Sequence, residues 1–177
     1  MTENENRSGK GAQSLVHPIP PTFDASSRIL VLGSFPSPKS RESGYFYGHP
    51  QNRFWRIAAA LFEEEVPSTV EEKHALLVRH HIAAWDVIRS CTISGASDSS
   101  ITDVVVNDLR PILKAAPVRQ IFVNGKTAYR YYRKYTEPVT GMSAICLPST
   151  SPANAAWTLP KLMDAWKIIK EYTESEP

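Results

Sequence analysis

Arg28-Ile29-Leu30-Val31-Leu32-Gly33-Ser34 is the stretch on which the fold turns. It is apolar without alternation, rich in branched side chains, too short for a helix, and stopped by Gly-Ser. That pattern reads as a strand covered on both faces. Working outward, three more runs read the same way: Ala83–Ile88, Gln120–Asn124 and Ala144–Pro148. Helical patterns lie between them. Phe54–Phe62 is apolar and Ala-rich. Ser68 and Glu71 read as a capping box for a helix running to about His80. Thr102 or Asp103 caps a helix ending near Ala116, with Pro111 as an awkward kink. Thr127–Tyr135 and Pro160–Tyr172 complete the series; Leu159, Leu162, Met163, Trp166 and Ile169 form one apolar face of the last. Strands alternating with helices predict an α/β fold, a parallel sheet with helices on both sides. Residues 1–16 are polar and predict a disordered N-terminal tail. Residues 17–174 form a single domain, entered through an extended His17-Pro18-Ile19-Pro20-Pro21.

Composition narrows the function. Apolar residues make up 42% and charged residues 21% of 177, the balance of a globular protein with a core of its own. A net charge of +2 is too mild for a protein that coats polyanions, but leaves room for a local basic face. No apolar run approaches the ~20 residues of a membrane span, and the N-terminus lacks an apolar signal-peptide core. The two cysteines, Cys91 and Cys146, are far apart, which excludes a four-Cys site within one chain and suits a reducing, cytoplasmic setting. Neither His-x-x-x-His nor a carboxylate cluster is present at metal spacing, so neither metal nor cofactor is expected.

In a parallel sheet, ligands bind beyond the carboxyl ends of the strands. The loops on that edge are also where the sequence is most unusual. The first, from Gly33 to Trp55, carries Phe35, Tyr45, Phe46, Tyr47, His49 and Asn52. A long loop within a compact domain tends to be functional. The third places Asn124 at a strand end before Gly125-Lys126-Thr127. A phosphate-binding P-loop would need Gly at position 120, where Gln stands. The fourth, Pro148-Ser149-Thr150-Ser151-Pro152-Ala153-Asn154, is a stiff polar hook whose hydroxyls and main-chain N–H groups can hold phosphates. From Arg119 to Tyr135, five cations interleave with tyrosines and no acid, a pattern compatible with a nucleic-acid backbone or with an ordinary solvated helix.

Together these segments resemble a known family. Gly33-Ser34-Phe35-Pro36-Ser37 and Gly44-Tyr45-Phe46-Tyr47-Gly48-His49-Pro50-Gln51-Asn52-Arg53-Phe54-Trp55 look like the first motif region of the uracil-DNA glycosylase superfamily. The nearest likeness is to its hypoxanthine-DNA (deoxyinosine) glycosylase branch. The resemblance continues through Asp98-Ser99-Ser100-Ile101, Asn107-Asp108, Asn124-Gly125-Lys126 and Pro148–Asn154, and spans about residues 17–172. It implies a three-layer α/β/α sandwich around a four-stranded parallel sheet. It also implies a metal-independent, monofunctional enzyme that flips a deaminated base out of DNA and hydrolyses its N-glycosidic bond. Better-known branches carry Asp or Asn just after the first strand, and His-Pro-Ser or Asn-Pro-Ser in the second motif. Here Ser34-Phe35-Pro36 and Leu147-Pro148-Ser149 stand instead, as in the deoxyinosine branch, whose catalytic Asn matches Asn52.

On this resemblance Asn52 orients the attacking water through its amide oxygen. Tyr47 stacks on the base, while main-chain groups at Gly33, Ser34 and Phe35 and the Asn124 amide bond its edge. Ser37, Lys39, Arg53, Ser149, Thr150, Ser151 and Asn154 are the expected DNA contacts. The expected partner is DNA containing a deaminated base, bound by a monomer, with no membrane involved. Competing readings are a uracil- or mismatch-directed glycosylase, a catalytically silent DNA-binding domain of the same fold, and an unrelated mononucleotide-binding domain.

Overall fold

A computed structural model describes residues 11–94 and 100–174. The apolar run Ile29–Gly33 is β2, with every residue buried. It lies inside a four-stranded parallel sheet with β3 (Ile82–Asp86), β6 (Gln120–Asn124) and β7 (Ala144–Leu147), in the order β3-β2-β6-β7. Alternate β2 side chains feed two cores. Ile29 and Val31 pack with α2 (Phe54–Leu61), α3 (Val70–Arg79), α7 (Leu159–Trp166) and α8 (Ile168–Glu174). Leu30 and Leu32 pack with α4 (Arg110–Ala115) and α5 (Lys126–Tyr131). Two cores on two faces make the three-layer sandwich. The chain order reverses between β2 and β6, and a crevice opens at such a point.

The N-terminal expectation needs correction. Gln13–Val16 is a strand, β1, paired antiparallel with β4 (Ile88–Ile93), which pairs in turn with β5 (Thr102–Val106). A polar, exposed edge strand gives no hydrophobic signal, so composition alone reads it as disordered. Residues 1–10 lie outside the described residues. This small sheet closes over Phe35, Ile88, Cys91, Ile93 and Ile101.

The helix expected from Thr102 or Asp103 is also wrong. Val104-Val105-Val106 favours a strand, and the helix begins only at Arg110. Pro111 then falls in the first turn, where its missing N–H costs nothing. The capping box is one residue later than expected: Thr69 accepts from the Glu72 amide, and Glu72 accepts from the Thr69 amide. Thr69→Ala is expected to cost about 1 kcal/mol of stability, read as a shifted urea midpoint with unchanged slope. Past α5 the chain widens into a π-helical turn, Tyr132–Thr136, and a short α6, Glu137–Thr140.

Candidate active site

The cleft sits where the topology places it, at the carboxyl ends of β2, β3 and β6. It measures about 510 Å³, within the usual range for a small-molecule site. α1 (Pro38–Ser43), the loop to Asn52 and the hook after β7 form its rim. Gly33 forms part of the floor, and only glycine fits there. A Cβ at this position would run into the Asp86 carboxylate and come within 3.3 Å of Tyr47 Oη.

One wall is a directional hydrogen-bond relay. Asn124 Nδ2 donates to Thr150 Oγ1 (2.9 Å), and Thr150 Oγ1 donates to Asn52 Oδ1 (2.9 Å). Thr150 N returns a bond to Asn124 Oδ1 (3.0 Å), and Phe54 N donates to Asn52 Oδ1 (3.0 Å). Backbone N–H groups can only donate, so they fix which end of each amide is oxygen. Asn52 therefore spends its oxygen on two protein donors. Its Nδ2 has no partner among the described residues. The expectation of a free amide oxygen is corrected: the unengaged end of Asn52 is the donor.

Tyr47 lines the cleft with a positive φ of 52° and packs on Phe54, ring centres 4.3 Å apart. A tyrosine held in the left-handed region is strained. Burial drives its phenol well above the usual range and the Asp86 carboxylate pushes it further, while nearby Asn124 pulls the other way. Tyr47 therefore stays neutral, a donor whose buried hydroxyl has no hydrogen-bond partner among the described residues. At Gly33 and Ser34 the carbonyls already accept from Val87 N (2.8 Å) and Ile88 N (3.0 Å), so they are not open to a ligand. Phe35 is buried, lines the cleft, and meets His17 edge-on at 5.8 Å.

The expected DNA contacts divide. Ser37 is the α1 N-cap, accepting from Ser40 N, and lines the cleft. Lys39 is exposed beside Glu42. Ser149, Ser151 and Asn154 shape the hook: Ser149 Oγ accepts from Ser151 N, Ser151 Oγ from Ala153 N, and Asn154 Nδ2 donates to Ser149 O. Thr150 is fully buried, so it serves the relay and is not a backbone contact. Arg53 is likewise committed. Its guanidinium donates to the carbonyls of Thr150, Ser151, Asn154 and Trp157, so it clamps the hook rather than facing a phosphate.

Two cleft residues escaped the sequence reading. Arg41 lines the rim with its guanidinium carbon 5.9 Å from the Phe35 ring centre, and its Nη1 has no partner among the described residues. Asp86 ends β3 inside the cleft and is 4% exposed. The signal for Asp86 was its place at a strand end in register with Gly33. A lone Asp in an apolar run passes easily for a turn residue. Of the tyrosines in the basic stretch, Tyr132 is core, while Arg130, Arg133 and Lys134 lie over the rings of Tyr131, Tyr129 and Tyr135. Asp98 and Ser99 lie outside the described residues.

The sequence profile of the Uracil DNA glycosylase superfamily matches residues 20–172, nearly the whole domain. The chain belongs to the uracil DNA glycosylase superfamily. Two relatives in it are named hypoxanthine DNA glycosylase. That of Methanosarcina acetivorans is 34% identical over 141 residues, 77% of this chain and 86% of the relative. That of Methanosarcina barkeri is 32% identical over the same shares. A solution NMR structure from M. acetivorans, described as a candidate uracil DNA glycosylase, superposes with a TM-score of 0.77 at 29% identity, covering 91% of this chain and all of the other. The superfamily fold agrees with the four-stranded parallel sheet and its flanking helices. No helix among the described residues is long and apolar enough to cross a membrane.

Proposed function

We propose that this protein is a DNA glycosylase that excises hypoxanthine by hydrolysing the N-glycosidic bond of deoxyinosine. The observation that carries the reading is the cleft at the β2/β6 crevice. Asn52 is held there by an oriented amide–hydroxyl–amide relay, in a chain one third identical to two hypoxanthine DNA glycosylases.

The enzyme cannot reach C1′ inside a duplex, so the nucleotide must be flipped into the cleft, and a poorly pairing base flips at lower cost. Tyr47 and Phe35 offer aromatic surface to the base. The C1′–N9 bond breaks with its electron pair passing to the purine. Neutral donors aimed at the base, from Tyr47 Oη and the backbone N–H groups after Gly33, stabilise that developing anion. Water held by Asn52 Nδ2 adds to C1′, and its proton passes to solvent or base. A neutral amide positions the water rather than deprotonating it, which suffices for an oxocarbenium-like centre. Arg41 and Lys39 at the rim suit phosphates flanking the lesion. The two cysteines remain thiols, in keeping with the cytoplasm. The cleft is complete within one chain, in keeping with a monomer.

The test is single-turnover cleavage of a labelled duplex containing one deoxyinosine, in EDTA, with alkali added afterwards to break abasic sites. A uracil duplex runs beside it. Alkali-dependent cleavage of the inosine strand is the expected result. Faster cleavage of the uracil strand would transfer the assignment to uracil excision, and cleavage of neither would sink the reading.

A further inference from the structure

Among the described residues Asp86 is the one carboxylate in the cleft wall, and the relay described above makes no use of it. Its Oδ2 accepts from His17 Nε2 at 2.7 Å. His17 Nδ1 in turn accepts from Ile19 N at 3.1 Å. A ring nitrogen that accepts a backbone N–H carries no proton, so His17 is the neutral tautomer with its hydrogen on Nε2. Among the described residues no Arg or Lys pairs with Asp86. Asn107 Nδ2 donates to the Asp86 carbonyl at 2.9 Å and to the Ile88 carbonyl at 3.3 Å, pinning the strand end that carries the side chain. The His17 and Asp86 side chains are 2% and 6% exposed, and Oδ1 lies over Gly33 beside the neutral phenol of Tyr47. A buried carboxylate with one neutral donor is under-satisfied, and it is held rigidly where a ligand would complete it.

We propose that Asp86, oriented by His17, is the specificity-determining acceptor for the ring N–H of a deaminated base. This deepens the glycosylase reading and rests on it. The geometry sets the direction of the base. Asp86 and Asn124 end the two strands that flank β2, and strands lie about 4.8 Å apart. A purine laid across Gly33 therefore reaches both sides. With its glycosidic end toward Asn52 and Thr150, its six-membered edge lies at Asp86. Deamination turns adenine N1 from an acceptor into the N1–H donor of hypoxanthine. The carboxylate accepts from that N–H. Against adenine it would face the N1 lone pair with no hydrogen between, so the commonest wrong purine loses that hydrogen bond. Uracil N3, guanine N1 and thymine N3 carry an equivalent N–H, so Asp86 discriminates against adenine and cytosine, the two bases that deamination converts, and does not rank hypoxanthine over uracil.

The experiment compares duplexes containing deoxyinosine and 2′-deoxy-1-deazainosine, which has the same shape but C–H in place of N1–H. Single-turnover rates are divided by the acid-hydrolysis rates of the two nucleosides, to remove intrinsic leaving-group differences. Wild type is expected to favour inosine by roughly 10- to 100-fold, the worth of one charge-assisted hydrogen bond. Asp86→Ala and Asp86→Asn are expected to bring the corrected ratio close to one, whatever the two absolute rates. If Asp86 and His17 only anchor the N-terminal lead-in, both substrates slow together and the ratio persists, which overturns the proposal. Should the variants not fold, the wild-type ratio decides alone: a corrected ratio near one refutes a reader at N1. Wild type that leaves inosine intact refutes the glycosylase reading and this inference together, whereas excision with an unchanged ratio in Asp86→Asn refutes only this inference.

Discussion

Asn52→Ala is expected to slow excision from a deoxyinosine duplex by roughly 10²- to 10⁴-fold, the range for a residue that positions the reacting group. Binding of the duplex is expected to change little, because phosphate contacts at the rim supply most of the affinity. The relay explains why the loss should fall on the chemical step. Asn52 Oδ1 is occupied by Phe54 N and Thr150 Oγ1, so the side chain has one rotamer and one orientation, with Nδ2 toward the cleft. Alanine removes the donor and also leaves the Thr150 hydroxyl without its acceptor. Thr150→Val then provides an independent check. It keeps Asn52 but breaks both hydroxyl bonds of the relay, so it should reduce excision less than Asn52→Ala. If Thr150→Val were silent, Asn52 would act without orientation by the relay. If Asn52→Ala cleaved at the wild-type rate, another group would have to hold the water. Gel-shift affinity measured beside single-turnover rates separates lost binding from lost chemistry.

How much of this was legible in the residues depends on burial. The four parallel strands declare themselves because both faces are covered, so Ile29–Gly33 and Gln120–Asn124 are apolar almost throughout. The cleft edge followed from the strand alternation, and Asn52, Tyr47 and Asn124 followed from motif resemblance. The small antiparallel sheet was hidden: β1 is an edge from which only Leu15 turns inward, and β5 is mostly exposed too. Asp86 was hidden for a different reason. Its meaning comes from His17, 69 positions away, and a long-range pair leaves no local pattern. The direction of the Asn52 amide was also beyond reach, because it is set by Phe54 N and by Thr150, which arrives from the opposite end of the chain.

Arg53 shows the same limit and carries the second large effect. Beside a hook of serines and an expected phosphate track, an arginine reads as a DNA contact. The structure turns its fork inward onto the carbonyls of Thr150, Ser151, Asn154 and Trp157. Arg53 N also donates to Thr150 O at 3.1 Å, so backbone and side chain hold the same residue. Removing the side chain leaves several part-buried carbonyls without a charged donor. Arg53→Ala should therefore destabilise by about 2–4 kcal/mol and lower Tm by roughly 5–15 °C in a chain of this size. Arg53→Lys should recover only part of this, since an ammonium cannot match a planar fork. Excision should fall in both, because the loosened hook carries Thr150 and so the orientation of Asn52. A phosphate-binding Arg53 would give the opposite signature: an unchanged Tm, weaker duplex binding and a salt slope shallower by about one. Calorimetry and salt-dependent binding on the same two variants thus distinguish a clamp from a contact. A lowered Tm together with a shallower salt slope would mean that the hook opens and releases Arg53 when DNA binds.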